Sequence, residues 1–399
     1  MSNLKLRCLF VHNRYLIRGG EDNVVDEEIK LLKQNGHDVK LYEIDNLKID
    51  SISKKIQTGF EITYSNNAKK SLTEELKHFQ PDIVHVHNFF PLLTPAIYDA
   101  CIESNIPVIQ TLHNFRLICP GALLLRDGNI CERCITGSAY NAVIHKCYRS
   151  SRLQSLAVAR MVSYHRKNNT WANKVTRFIA LTEFSKSKFV EAGFPSSQIT
   201  VKPNFVNRSV DLEINSKGAD TNNITNDQPY ALYVGRLSKE KGINTLLDAW
   251  QHIDLGLNIA GDNMLEDTLP ATNTNVHFLG EIDNSQVHTQ MKNAQFLVMP
   301  SICYENLPMV IIEAYSCGLP VIASNLGAMK EIVKNNESGL LFEAGNSKDL
   351  ARKVNWMIEN PEKCKEMGAN AKRIFLDQYT AKINYELLTN IYQEALDLT

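Results

Sequence analysis

The sequence predicts an α/β protein of two doubly wound domains, because strand-like and helix-like segments alternate along most of its 399 residues. Short apolar runs end at glycine or polar residues, and segments with helical periodicity follow most of them. One polar stretch rich in Asn, Asp and Ser, at 203–229, interrupts this alternation and reads as an interdomain linker. The chain is therefore predicted to form two parallel-sheet domains in series.

The first series begins with an apolar strand at 6–11, which the pair Gly19-Gly20 and a helix ending at Gly36 follow. A Gly pair before a helix N-terminus lets backbone amides approach a phosphate, although Gly-Gly is also a common plain turn. Further strands are predicted at 39–42, 83–86, 108–112 and 178–182, and helices over most of 50–80, at 152–168 and at 186–192. His113 directly follows one of these strands and is therefore predicted at the carboxyl edge of the first sheet.

The second series begins with a strand at 230–234 and a loop that runs from Gly235 to Gly242. Arg236 and Lys241 lie five residues apart in this loop and form a candidate diphosphate clamp, in which the guanidinium grips two oxygens and the ammonium adds a point charge. The alternative is a basic surface loop. Other predicted elements are a helix at 243–253, strands at 257–262 and 276–280, and helices beyond Gly345, the last at 381–396.

One βαβ unit in the second series carries two carboxylates. Apolar strands at 296–300 and 321–323 flank a helix for which Pro308 suits the first turn and Gly318 the left-handed position after the last turn. Glu305 falls in the loop before the helix and Glu313 about two turns further on, at the strand end where α/β proteins bind ligands. The alternative is that both acids are structural, stabilising the helix dipole or pairing with a basic residue.

The composition excludes several classes of protein. No apolar run approaches the roughly 18 residues of a membrane-spanning helix, and the polar start is no signal peptide, so a soluble, cytoplasmic protein is expected. Residues 1–205 hold 27 Lys+Arg against 19 Asp+Glu, whereas 206–399 hold 16 against 25. The basic half predicts an anionic partner, either a phosphate-bearing substrate or a membrane surface contacted through 152–167; the alternative is a solvated basic face. No nucleic-acid module is present in the sequence.

Four of the nine cysteines lie in a segment where the alternation breaks down, at 119–147. Their spacing is C-x11-C-x2-C-x12-C, from Cys119 through Cys131 and Cys134 to Cys147. Four thiols around a central C-x2-C predict a structural zinc site. A redox pair and four unlinked thiols are the alternatives.

Five motifs coincide in this order: Gly19-Gly20, Thr111-Leu112-His113-Asn114, Gly235-Arg236-x4-Lys241-Gly242, Ala260-Gly261-Asp262 and Glu305-x7-Glu313. Together they resemble the retaining nucleotide-sugar glycosyltransferases of family 4. The resemblance implies the GT-B architecture, with two Rossmann-like domains facing across a cleft. The implied parts are an acceptor-side domain at 1–205 that holds the four-cysteine insertion, a linker at 206–228, a nucleotide-sugar domain at 229–378, and a C-terminal helix at 379–399 that packs back on the first domain.

The resemblance also implies roles for individual residues. Arg236 and Lys241 would bind the diphosphate of the donor, Glu313 its ribose, and Glu305 its sugar, which His113 would approach across the cleft. The implied catalytic residues are Glu305, His113, Arg236 and Lys241, and the implied donor-binding residues are Gly19, Gly20, Gly235, Arg236, Lys241, Gly261, Asp262, Glu305, Asn306, Leu307 and Glu313. No catalytic metal is expected, because basic residues and the helix dipole replace it.

The sequence departs from the family pattern at three places. Pro308 stands where many members have Gly, which removes one N–H donor beside the sugar. Asn114 stands where Asp is frequent, so this position cannot act as a base. The four-cysteine insertion occurs in only part of the family.

The expected function is transfer of a sugar from a UDP-, GDP- or other nucleotide diphosphate donor to a glycan or lipid-linked acceptor, with retention, in cell-envelope or polysaccharide synthesis. The alternatives are a GT-B sugar-nucleotide epimerase and a catalytically silent scaffold that binds nucleotide-sugars or membranes. The expected location is the cytoplasm, including the inner face of the membrane. Donor base and sugar, acceptor, linkage and oligomeric state stay open at this stage.

Overall fold

The computed structural model describes residues 5–16, 19–207, 228–262 and 274–398. The described chain divides into two compact units. Most of the predicted linker at 206–228 lies outside the described residues. The first unit comprises Met1–Arg126, Cys131–Asn204 and Asn384–Thr399, and the second Asp127–Ile130 and Phe205–Ile383. Each unit contains one parallel six-stranded sheet flanked by helices, as the alternating pattern predicts.

The sheet of the first unit has the strand order β2-β1-β3-β4-β7-β8. Its strands are β1 (Arg7–Arg14), β2 (Asp38–Asp45), β3 (Ile83–Asn88), β4 (Val108–Thr111), β7 (Arg177–Ala180) and β8 (Ile199–Val201), while β5 (Leu125–Arg126) and β6 (Asn129–Ile130) lie outside it. Its helices are α1 (Gly20–Gln34), α2 (Ile52–Glu61), α3 (Asn66–Phe79), α4 (Ala96–Glu103), α5 (Arg133–Thr136), α6 (Asn141–Ile144), α7 (Arg152–Lys167), α8 (Thr170–Lys174) and α9 (Glu183–Glu191). The order reverses between β1 and β3, because the chain adds β2 on one side of β1 and β3 on the other.

The sheet of the second unit has the order β11-β10-β9-β12-β13-β14, which reverses between β9 and β12. Its strands are β9 (Tyr230–Val234), β10 (Gly256–Ala260), β11 (Val276–Gly280), β12 (Phe296–Met299), β13 (Val321–Ser324) and β14 (Gly339–Phe342). The helices that follow are α10 (Ile243–Trp250), α11 (Asn284–Asn293), α12 (Met309–Ser316), α13 (Gly327–Ile332), α14 (Ser347–Glu359), α15 (Pro361–Gln378) and α16 (Ala381–Leu396). In sheets of this kind, ligands bind at the carboxyl ends of the strands where the order reverses.

The C-terminal helix α16 completes the core of the first unit. Its apolar side chains recur with helical spacing at Leu388, Ile391, Tyr392 and Ala395, and all four are buried. They belong to one hydrophobic cluster with strand residues of the first sheet, among them Cys8, Phe10, Ile83 and Ile109. Residues near the end of the chain therefore help to bury one face of the first sheet.

Local chemistry explains where the helices begin and end. Side-chain oxygens of Ser65, Ser151, Thr182 and Asp283 accept hydrogen bonds from backbone amides in the first turns of α3, α7, α9 and α11. The predicted stop at Gly318 is confirmed, because this residue follows α12 with φ +70°. The prediction for Pro308 was wrong by one position. It has extended backbone angles and precedes α12 as its N-cap residue, because the helix itself begins at Met309.

Four short strands were not predicted, namely β5, β6, β8 and β14. β8 and β14 each hold three or four residues at an edge of their sheet, where the sequence pattern is too short to separate strand from loop. Among the described residues, no helix is both long and apolar enough to cross a membrane. The basic helix α7 has Leu153 80% exposed, and its contact with a membrane surface stays a prediction.

Candidate functional site

Two loops of the second unit meet where the strand order reverses. One follows β9 and contains Arg236 and Lys241; the other follows β12 and contains Glu305. The Ile302 amide donates to the Glu240 carbonyl at 3.0 Å, which joins the two loops through their backbones. Residues that are 64 positions apart in the sequence are thereby held side by side.

Two glycines of this region are required by close backbone packing. A Cβ on Gly242 would lie 1.9 Å from the carbonyl oxygen of Pro300, and one on Gly261 would lie 1.9 Å from the carbonyl oxygen of Gly235. Both residues also have positive φ, +74° and +150°. The glycines that the sequence motifs contain therefore allow the loops after β9, β10 and β12 to approach one another.

Glu305 is the centre of a polar cluster. Its Oε1 accepts from Lys241 Nζ at 2.7 Å and from the Ser301 hydroxyl at 2.7 Å, and the Cys303 thiol lies 3.9 Å away. The side chains of Glu305 and Lys241 keep 14% and 20% of their surface exposed. The carboxylate is thus held in one orientation by three neighbours while part of the ion pair stays accessible.

The electrostatics of the pair favour both charges. Burial raises the pKa of Glu305, but the charge of Lys241 and the hydrogen bonds from Lys241 and Ser301 outweigh it, so the pKa lies below its ordinary value. Burial lowers the pKa of Lys241, but Glu305 outweighs that effect and the pKa lies above its ordinary value. Burial raises the pKa of Cys303 to about 12. At neutral pH the cluster therefore holds a carboxylate, an ammonium and a neutral thiol.

Arg236 is positioned by its backbone, whereas its guanidinium is exposed. The Tyr233 hydroxyl donates to the Arg236 carbonyl at 2.8 Å, which fixes the turn. The Arg236 side chain has 57% of its surface exposed, and its guanidinium lies 4.0 Å from Glu240. An exposed pair at this distance contributes little to stability, so the side chain can exchange Glu240 for a stronger anion such as a diphosphate.

The other predicted donor-binding residues lie in different surroundings. Asn306 and Leu307 are buried beside Glu305, while Asp262 is exposed and uses its carbonyl to accept from the Leu237 amide at 2.8 Å. Glu313 is half-buried in the second turn of α12. The structure thus brings Arg236, Lys241 and Glu305 into one loop cluster and leaves the ribose role of Glu313 a prediction.

The predicted residues of the first unit also lie at strand ends. His113 follows β4, as predicted, and its Nε2 is 2.9 Å from His87 Nδ1. Gly19 precedes α1, and its amide donates to Asp22 at 2.9 Å, so part of this loop serves as a helix cap. Asn114 accepts from the Arg116 amide at 3.0 Å. This turn-capping bond gives Asn114 a structural reason to be present.

Sequence reasoning missed a set of buried polar residues next to His113. His12 Nε2 lies 2.8 Å from Asp22, and Lys202 donates to Glu28 at 2.6 Å with both side chains almost fully buried. His85 and His87 alternate on β3 and both point into the protein interior. Two histidines spaced i, i+2 in an apolar strand were the signal available in the sequence, because such positions share one face of the strand.

Glu21 is a further acid, half-buried, that the sequence did not single out. Burial raises its pKa to about 8, and the Tyr15 hydroxyl donates to it at 3.0 Å. Glu21 directly follows Gly20, so a carboxyl group that is mostly protonated at neutral pH lies beside the glycine loop.

The four cysteines of the insertion are neighbours in the first unit. Burial, followed by the charges of Cys119, Cys147 and Cys131, raises the pKa of Cys134 to about 12. Backbone amides of the turn after Cys119 also hydrogen-bond to its sulfur. Within the described ranges, the one group of three potential ligands that lie within 4.8 Å of one another is Glu28, His85 and His87, not the thiols. Zinc at the cysteines stays a prediction, and the donor set fits it chemically.

Two family models match successive parts of the sequence. The model of Glycosyltransferase Family 4 matches residues 18–210, and that of Glycosyl transferases group 1 matches residues 217–374. An uncharacterised glycosyltransferase of Methanocaldococcus jannaschii is 32% identical over 180 residues, which are 43% of this chain and 50% of that relative. The chain spans about half the length of the first curated relatives that it matches.

Two longer similarities cover nearly the whole chain. Spore coat protein SA of Bacillus subtilis is 23% identical over 404 residues, which cover 95% of this chain and 96% of that protein. The crystal structure of HepE from Anabaena, solved in complex with UDP and glucose, has a TM-score of 0.64 at 18% identity and covers 97% of this chain and 100% of its own. At that identity the structural match establishes the fold. Because the two family models match successive parts of the chain and each unit contains a parallel six-stranded sheet, the chain belongs to the family 4-like glycosyltransferases and has the GT-B fold.

Proposed function

We propose that this protein transfers a sugar from a nucleotide diphosphate sugar to a glycan or lipid-linked acceptor in cell-envelope or polysaccharide synthesis, with retention of anomeric configuration. The observation that carries the proposal is the Lys241–Glu305 ion pair, which is partly exposed at the strand reversal of the second sheet, with Arg236 in the same loop as Lys241. A similar fold in HepE binds UDP and glucose, which supports UDP-sugars as the first donors to test.

The basic residues supply what the departing nucleotide needs. As the bond between the anomeric carbon and the diphosphate oxygen breaks, negative charge grows on the diphosphate. Arg236 can bind two of its oxygens in a fork and Lys241 can add a second positive charge, so both interactions strengthen in the transition state. These groups provide the charge that a divalent cation provides in other transferases.

Glu305 serves the sugar rather than the proton transfer. Its lowered pKa keeps the carboxylate ionised at neutral pH, so it accepts hydrogen bonds from sugar hydroxyls and stabilises positive charge at the anomeric carbon. Ser301 and Lys241 hold it in place and limit the cost of reorganisation during the reaction. In the proposed retaining step the acceptor oxygen bonds to the anomeric carbon on the face that the diphosphate leaves, and the diphosphate takes the acceptor proton.

The first experiment identifies the donor and then tests the two roles. Thermal-shift measurements with UDP, GDP and ADP and their sugars identify the donor, because a ligand of the folded state raises its apparent stability. With that donor, Glu305→Ala and Arg236→Ala should each lower turnover by about 10²-fold or more, the scale of one preorganised electrostatic contact. Arg352→Ala is the matched control, because Arg352 is exposed on α14 and pairs only with the nearby Asp349 among the described residues.

The results separate the candidate functions. Turnover of Glu305→Ala and Arg236→Ala within a few-fold of wild type would remove both residues from the mechanism. Release of nucleotide diphosphate only in the presence of an acceptor, with the product anomer of the donor's configuration, supports the transferase. Epimerisation would consume no acceptor, and a silent scaffold would bind donor without turnover; family membership favours the transferase over both.

A further inference from the structure

A row of polar side chains extends from His113 into the core of the first unit. His113 Nε2 lies 2.9 Å from His87 Nδ1, and the other nitrogen of His87 lies 3.6 Å from Glu28 Oε2. The second oxygen of Glu28 accepts from Lys202 at 2.6 Å. His113 is half-buried at the strand end, whereas the three residues behind it are at most 3% exposed. The row therefore connects a residue that a ligand can reach with a sealed interior.

Lys202 pairs with Glu28 at the inner end of the row. An unpaired carboxylate buried to this degree would be strongly disfavoured, and the ammonium at 2.6 Å supplies the compensating charge. The same contact argues against a metal ion at Glu28, His85 and His87, because a cation already occupies Glu28. Both nitrogens of His85 are also within 2.8 Å of hydroxyl groups, those of Tyr392 and Thr111.

The carboxylate selects the tautomer of His87. If Nε2 of His87 carries the proton, an N–H points at Glu28; if Nδ1 carries it, a lone pair faces the negative charge. The first arrangement is favourable and the second repulsive, and neither His87 Nε2 nor Glu28 Oε2 has a hydrogen-bond partner among the described residues. His87 Nδ1 is then a hydrogen-bond acceptor.

The tautomer of His87 fixes that of His113 through the 2.9 Å contact between His87 Nδ1 and His113 Nε2. Since His87 Nδ1 accepts, His113 Nε2 must donate and carries the proton. Burial, followed by the charge of His12, lowers the pKa of His113 to about 3, so the ring is neutral and its Nδ1 has no proton. Within the described part of the chain, no protein group is hydrogen-bonded to this Nδ1.

We propose that Glu28 and His87 are positioning residues that hold His113 in one tautomer, so that His113 presents Nδ1 as a hydrogen-bond acceptor for a substrate hydroxyl at the carboxyl edge of the first sheet. That this hydroxyl belongs to a substrate of sugar transfer rests on the proposed function, whereas the tautomer itself does not. An uncommitted ring could turn an N–H toward the ligand as readily as a lone pair. Through this row, the buried carboxylate of Glu28 determines which nitrogen of His113 accepts a hydrogen bond at the strand end.

The test reads the tautomer directly. The full chain is labelled with ¹⁵N at histidine, and proton–nitrogen correlation spectra at pH 7 assign the protonated nitrogen of each ring. The His113 signals are identified by their absence in His113→Gln. We expect wild-type His113 to be a single tautomer with the proton on Nε2. Wild-type His113 with its proton on Nδ1, or a mixture of tautomers, would overturn the proposal without any variant of Glu28.

Variants then test the cause. Glu28→Gln with Lys202→Met removes both charges together and preserves size, which avoids leaving one buried charge unpaired. In this double variant we expect His113 to become a mixture of tautomers and kcat/KM of the transfer reaction to fall on the order of 10-fold, the lower end of the loss seen when a residue that orients a metal-binding histidine is removed. An unchanged single tautomer would contradict the role of Glu28.

Tyr392→Phe is the matched control. It removes a buried hydrogen bond to His85, whose ring lies against that of His87, but leaves the row itself intact. The tautomer of His113 should not change in this variant. If it changed as much as in the double variant, general loosening of the core would be the cause. A protein that shows the expected tautomer but transfers no sugar would refute the proposed function and leave the positioning row in place.

Discussion

The molecule contains two Lys–Glu pairs of nearly equal length in very different surroundings. Lys241 and Glu305 of the second unit are 2.7 Å apart and 20% and 14% exposed, whereas Lys202 and Glu28 of the first unit are 2.6 Å apart and 0% and 1% exposed. The first pair is accessible to a ligand, so its charges can act on substrate directly. The second can act only through the side chains that it contacts. The same pair of side chains is therefore proposed to bind substrate in one unit and to position a histidine in the other.

The largest expected effect is the loss of one partner from each pair. Lys202→Met should destabilise the first unit by about 3–5 kcal/mol, because it leaves a buried carboxylate unpaired. Lys241→Met leaves Glu305 partly solvated and still bonded to Ser301, so it should cost much less stability but lower donor turnover by about 10²-fold. Urea unfolding and donor turnover, measured on both variants, distinguish the two effects.

A control keeps this comparison interpretable. Lys239→Met removes an exposed lysine from the same loop as Lys241 and should change neither quantity. If Lys202→Met were as stable as Lys241→Met, the buried pair would not differ from the partly exposed one, and the contrast between the units would fail.

The next expected effect is that acid lowers the stability of the first unit at a higher pH than that of the second. In the first unit, burial holds the pKa values of His85 and His87 well below the ordinary value and lowers that of His165 to about 4. The unfolded chain binds protons at these rings below about pH 6.5 and the folded chain does not, so stability falls as the pH drops. Glu21, with its pKa raised to about 8, acts in the opposite direction but offsets only part of this loss.

The pair of the second unit should respond at lower pH. The lowered pKa of Glu305 contributes stability that is lost only as the pH falls below about 4.5. Between pH 6.5 and 5, urea unfolding should therefore show loss of stability in the first unit. His165→Gln should reduce that slope by up to about 1.4 kcal/mol per pH unit, the contribution of one histidine that is protonated only when unfolded. An equal slope in His165→Gln and wild type would contradict this assignment.

The two regions also differ in how far the sequence could predict them. The loops of the second unit contain their own signals: glycines at strand ends, Arg236 and Lys241 in one short segment, and Glu305 before a helix. Because the strand order reverses between β9 and β12, these local motifs are brought together by the fold that the alternation predicts. The error at Pro308 shifted a helix start by one residue and left the site unchanged.

The row behind His113 could not be predicted in the same way. Glu28 lies on α1, His87 on β3 and Lys202 just after β8, an unpredicted strand, and 174 positions separate Glu28 from Lys202. Each of them alone has an ordinary local setting, such as an acid within an amphipathic helix. The contacts arise from packing of distant elements, and the sequence contains no motif for that packing.

The four cysteines test whether a cluster of thiols in this protein needs a cation. Removal of such an ion has the smallest expected effect on stability. Lys202 and Lys241 balance the charges of Glu28 and Glu305. The thiols have one another as neighbours instead, and burial, followed by the charges of the other three cysteines, opposes ionisation of Cys134. A bound zinc ion would supply the missing positive charge and keep the thiolates ionised.

Protein purified without added zinc should contain about one equivalent by metal analysis. A chelator should lower the melting temperature only slightly, because the segment lies outside the six-stranded sheet. Less than about 0.3 equivalents, with all four thiols titratable, would show that these cysteines are neutral thiols and need no cation.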